Sequence, residues 1–181
     1  MKGHKSNATV LVVKIKNKLG ENEKKSLEGA MEAVYSKRGA VYEQGDYIFA
    51  IFSPLMTKTE TNEVVAAIAG QQIVEVLNEH NRKFREKIDF GISINSGQII
   101  NKMEQGKLKF TAMGNFVVAA KRMAESANKQ VLLSKESFQK AGSVVKAEKL
   151  SDGMVYDLRR VVDSEKNNKF IQGFLERQNK G

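Results

Sequence analysis

KIDFGISINSGQIINKMEQGKLKFTAMGNFVVAAKRM, residues 87 to 123, reads as a strand, a hairpin, a glycine turn and a helix in one continuous run. Ile88, Phe90, Ile92 and Ile94 are apolar at every second position, the period of a strand with a buried face. Gly91 lies inside that strand and Gly97 just after it, where a missing Cβ marks a bulge or a close approach by another backbone or a ligand. A second short strand is expected from Leu108 to Thr111. It leads through Gly114 and Asn115 into a helix with apolar Val117, Val118, Ala120 and Met123 and a single arginine, Arg122.

Upstream, Ala8 to Ile15 is an apolar run long enough for one buried strand. Leu19, Leu27, Ala30, Met31, Val34 and Tyr35 then recur at helical spacing until Gly39. Ala40 to Tyr42 and Tyr47 to Phe52 flank a turn at Glu43 to Asp46, a hairpin whose second strand Pro54 ends. A loop to Asn62 and a second long helix follow, with Val64, Ala67, Ile68, Ile73, Val76 and Leu77 on its apolar side. Downstream are expected a strand at Gln130 to Leu133, a short helix from Ser134, and strands at Val144 to Ala147 and Met154 to Leu158. Residues 1 to 7 read as a flexible start, 8 to 162 as one domain, and 163 to 181 as a basic tail. In that tail Phe170, Ile171, Phe174 and Leu175 form a narrow stripe that would dock a terminal helix on the domain or on a partner.

A chain of 181 residues suits one domain with its own core. It has no cysteine, hence no disulfide framework or thiolate metal site. No apolar run is long enough to span a bilayer and no signal segment is visible, so the chain reads as cytoplasmic, or as the soluble part of a longer protein. The net charge of +9 raises nucleic acid or an anionic membrane as a partner. Against that, the lysines interleave with glutamates along the whole chain, and aromatic residues, at 7%, leave few stacking platforms. His4 and His80 make neither a metal cluster nor a triad, and no phosphate-binding glycine loop is present.

Periodicity alone supports α+β or α/β. Four stretches narrow it: ATVLVVKI from Ala8, GAVYEQGDYIFAIF from Gly39, the glycine-bearing strand followed by FTAMGNFVVAAKRM, and VLLS from Val131. In order and spacing these resemble the catalytic domain of class III adenylate and guanylate cyclases over residues 8 to about 134. The resemblance implies an α+β fold with a ferredoxin-like βαββαβ core and appended strands and helices.

It also implies positions for the chemistry. Purine cyclases of this family work at a dimer interface, with two aspartates holding two divalent metals, Mg²⁺ or Mn²⁺, an Asn and an Arg at the transition state, and a Lys with an Asp or Thr reading the base. Asp46 matches the second metal aspartate, though Gly-Asp is also ordinary turn chemistry. The first falls on Lys14, which replaces an anion with a cation; the ammonium could pair with Asp46, sit against a phosphate, or point to solvent. The asparagine falls on Val118, which cannot hydrogen-bond, while Arg122 matches the arginine one helical turn later. Lys87 and Thr111 match the base-reading pair; otherwise one is the end of a charged run and the other a strand residue.

The resemblance therefore points to a cyclase-like domain with little or no activity, a dimer with itself or with another cyclase domain, serving as a regulatory or nucleotide-sensing module. The alternative is an active or conditionally active adenylate cyclase making cyclic AMP from ATP.

Overall fold

The structure, a computed structural model, describes residues 3–150, 153–162 and 173–178, the side chains of 108 and 110–113 excepted. Its centre is β1 (His4–Ile15), which pairs antiparallel along its length with β4 (Phe90–Glu104) and over Thr9 to Lys14 with β3 (Tyr47–Phe52). Side chains of β1 alternate between two buried faces: Leu11, Val13 and Ile15 point one way, Ala8, Val10 and Val12 the other. That double burial explains why the strand reads as an unbroken apolar run.

β2 (Ala40–Gln44) pairs with β3 at one edge, joined by the two-residue turn Gly45–Asp46, in which Gly45 has φ +58°. The first half of β4 pairs in parallel with β6 (Val131–Ser134); the second half pairs with β5 (Lys107–Met113). β8 (Val155–Val161) and β7 (Val145–Lys149) complete an eight-stranded sheet ordered β2-β3-β1-β4-β6-β8-β7, with β5 on β4 alone. The β2-β3-β1-β4 portion is the ferredoxin-like arrangement expected from the sequence.

One face carries α1 (Glu21–Ala30), α2 (Glu32–Tyr35), the long α4 (Asn62–Lys83) and α6 (Lys135–Ala141) around the larger core. The other is covered by α5 (Asn115–Ser126), which inserts Val117, Ala120 and Ala124 against Val10, Val12 and Phe49. Gly91 permits this closeness, because a Cβ there would lie 2.2 Å from the carbonyl oxygen of Ala124.

Three expectations need correction. β1 starts at His4, and residues 4–7 pair with 98–101, so the start of the chain from His4 belongs to the sheet. β4 continues through Gly97 to Glu104, because its polar residues are satisfied in place: Asn95 donates to the Phe116 carbonyl, Ser96 to Glu63, and Asn101 to Ser6. β3 ends before Pro54 as expected, but the stretch after it, expected as loop, opens with a short helix, α3 (Pro54–Thr57), as the fixed φ and missing N–H of Pro54 suit a first helical position.

Near the C-terminus, residues 173–178 form a further helix, α7; Phe170 and Ile171 lie outside the described residues. The buried Phe174 ring rests against Gly29 of α1, and Arg177 lies 3.5 Å from Glu32. Among the described residues no helix is long and apolar enough to cross a membrane.

Candidate functional site

The end of β1 sets the geometry. Lys14 is flanked in the sheet by Tyr47 on β3 and Gly91 on β4, and like Val10 and Val12 it turns toward the α5 face. Its Nζ lies 3.4 Å from Asp46 Oδ2 and 4.4 Å from the centroid of the Tyr47 ring. Of the three orientations open from the sequence, pairing with Asp46 is the one adopted. Asp46 itself projects from the tight turn and is 74% exposed.

Tyr47 joins this pair to α5. Lys121 Nζ lies 4.5 Å from the same ring, and the phenol donates to the Glu125 carboxylate. Two ammonium groups against one aromatic ring are favourable cation–π contacts. The Glu125 hydrogen bond, then partial burial and the neighbouring carboxylates, push the Tyr47 phenol up to about 12. Because the raised value favours the neutral phenol, the contribution of this contact to stability is intact below the ordinary value near 10 and is lost as pH rises toward 12. Tyr47 is expected to be the last of the four tyrosines to ionise in an absorbance titration, and Glu125→Gln should lower that final step. An unchanged final step would break the assignment.

Beside Asp46 lies a cleft of about 500 Å³ between the β2–β3 turn, the loop after β1 and α1. Asn17, Lys18, Lys24, Glu28 and Glu43 supply polar groups to its lining, and Leu27 and Met31 apolar ones.

Other matched positions sit apart. Lys87 Nζ donates to the carbonyls of Asn81 at 2.6 Å and Phe84 at 2.7 Å, closing the last turn of α4 as a C-terminal cation does. Val118, half exposed, and Arg122 stand one turn apart on the outer side of α5. The β4–β5 register jumps from Ile100–Ala112 to Asn101–Phe110, which leaves Thr111 in a bulge; its side chain is outside the described residues. Among the described residues no contact joins Lys87 or Arg122 to Lys14 or Asp46. His80 is buried between Ser26 and the Glu86 carbonyl, an internal hydrogen-bonded residue.

Tyr47, Lys121 and Glu125 escaped the reading of the sequence. Helical spacing does place Lys121 and Glu125 on one flank, one turn apart, and that was the available signal. The donor set does not fit a pair of divalent ions: the neighbour of Asp46 is an ammonium and not a second carboxylate, and among the described residues no three His, Asp or Glu side chains converge.

No protein-family model and no curated protein matches the sequence. Solved structures do match the fold. The adenylyl cyclase CyaB from P. aeruginosa superposes with a TM-score of 0.69 at 15% identity, over 88% of this chain and 96% of that one. The guanylyl cyclase domain of the RhoGC fusion protein from the aquatic fungus Blastocladiella emersonii gives 0.70 at 16%, over 89% and 99%. The guanylate cyclase domain of RhGC from Catenaria anguillulae, solved with GTP, gives 0.67 at 14%, over 87% and 99%. A strand-centred sheet with helices on both faces, a Gly-Asp hairpin beside the end of β1, and superpositions covering nearly whole catalytic domains lead to one conclusion: this chain has the fold of the class III adenylyl and guanylyl cyclase catalytic domain.

Proposed function

We propose that this domain is a cytoplasmic signalling module on the cyclase fold that does not carry out two-metal cyclisation, and that it pairs with a second cyclase-fold domain and senses a purine nucleotide. One observation carries the reading: the Lys14 ammonium lies against Asp46, where the resemblance would place a metal-binding carboxylate. At about 4 Å a divalent ion and an ammonium repel by roughly 2 kcal/mol in water and by several times that near a protein surface. Losing such ions removes the largest source of transition-state charge stabilisation in phosphoryl chemistry.

Two features support a retained ligand and a retained partner. The cleft beside Asp46 is lined by Lys18 and Lys24, which can meet phosphates alongside the carboxylates of Glu28, Glu43 and Asp46, and a domain of similar fold was solved with GTP. Val118 and Arg122 face outward from α5, open to a second chain, and the fungal domain of similar fold was solved both as a monomer and as a non-canonical dimer. Thr111 and Lys87 would read the base, Lys87 only after releasing the α4 carbonyls it holds.

Calorimetry of ATP and GTP with and without Mn²⁺, with the same samples assayed for cyclic product, tests this. The expected result is binding that does not depend on metal and no product. Metal-dependent binding with product would establish the active-cyclase alternative, and no nucleotide binding at all would remove the sensing role.

A further inference from the structure

A second cavity, of about 220 Å³, lies at the far end of β1 from Lys14, between that strand and the start of α4. Thr9, Asn62 and Glu63 form its buried wall, and Asn7, Glu60 and Lys140 its exposed mouth. We infer that this cavity is a binding site for a small primary ammonium compound.

The wall is polar where a packing defect would be apolar. Glu63 is 8% exposed; one of its oxygens accepts from Ser96 at 3.0 Å, and among the described residues it has no ion pair. Ser96 and the α4 N-terminus offer a buried carboxylate partial charges, which leaves room for a full cation. Thr9 is the independent indication. It is 1% exposed, it lines the cavity, and its hydroxyl has no hydrogen-bond partner among the described residues.

Charge then selects the ligand. Lys140 pairs with Glu136 at 3.1 Å at the exposed mouth, and among the described residues Glu63 and Glu60 have no ion pair. An ammonium brings three N–H donors, which suit Glu63, the Thr9 oxygen and the Asn7 side-chain carbonyl. A bare divalent ion is less well served, because among the described residues no three carboxylate or imidazole side chains converge. Glu60 at the mouth suits the second charge of a diamine. This site is independent of the nucleotide reading, since it shares no residue with the Lys14 rim.

Putrescine added to the full chain is expected to raise Tm by about 3–5 °C at ten times its Kd. Tetramethylammonium at equal ionic strength, which has no N–H, should give no shift. Glu63→Gln keeps the shape of the side chain and should abolish the effect. Should that variant fail to fold, the exposed Glu60→Gln carries the test, with an expected weakening of about threefold. Equal shifts from putrescine and tetramethylammonium, a shift from Mg²⁺ instead, no putrescine shift, or undiminished binding by these variants would each overturn the proposal.

Discussion

Gly91→Ala is expected to cost about 3–5 kcal/mol, a large part of the stability of an ordinary domain. The new methyl group would sit 2.2 Å from the Ala124 carbonyl oxygen and 2.5 Å from that of Ala127, both backbone atoms at the end of α5. No rotamer change relieves such a clash. Either α5 lifts from the sheet, exposing Val117, Ala120 and Ala124, or β4 shifts against β1. Lys16, which donates to the Ala127 carbonyl, would lose its acceptor in the first case. Gly97→Ala is the internal control. Its Cβ would meet Phe116 Cγ at 2.3 Å and Phe116 Cβ at 2.9 Å; swinging this partly buried side chain about χ1 clears the ring, and a small backbone adjustment clears the Cβ, so about 1–3 kcal/mol is expected. Urea unfolding of both variants measures the contrast; equal midpoints would show that α5 does not rest on β4 through Gly91.

Lys14→Asp is expected to create Mn²⁺ binding where the wild-type chain has none detectable. Replacing the ammonium removes a repulsive charge and puts a second carboxylate within reach of Asp46, the hard oxygen donors that divalent ions prefer. Folding should tolerate the change, because the Lys14 side chain is 20% exposed and its ion pair has a mostly exposed partner, worth at most about 1 kcal/mol. Calorimetric titration of Mn²⁺ into both chains decides the matter. If the variant binds no metal, the β2–β3 turn holds Asp46 in an orientation that cannot share an ion. If it gains metal and still makes no product, Val118 becomes the next obstacle, and Val118→Asn in the same background tests that.

Strands buried on both faces were the most legible part of the fold, since Val10 to Val13 and Ile48 to Phe52 can hardly be anything else. The length of β4 was hidden because Asn95, Ser96 and Asn101 look like a strand's end. Each is buried, and each spends its polar group on a partner distant in sequence. Lys14 and Asp46 could be brought together from the sequence because the resemblance matched them to two positions that share one site, and the register that sets residue 14 opposite residue 47 delivers that proximity. Lys87 shows what a matched position leaves unsaid: its ammonium holds the end of a helix, which the match to a base-reading lysine does not reveal. Tyr47 with Lys121 and Glu125 needed the packing of α5, a contact about 75 residues apart that no local pattern encodes.

Lys14 sits just past the fully buried stretch of β1, Ala8 to Val13, where the strand begins to open toward solvent. Interior positions such as Leu11 and Val12, fully buried, admit few replacements, since truncation there costs about 2–5 kcal/mol. At Lys14 the same strand is partly open to solvent, and a charged side chain can be exchanged there at a smaller cost. Charge at the rim can thus change by single substitutions while the sheet beneath goes on folding as before.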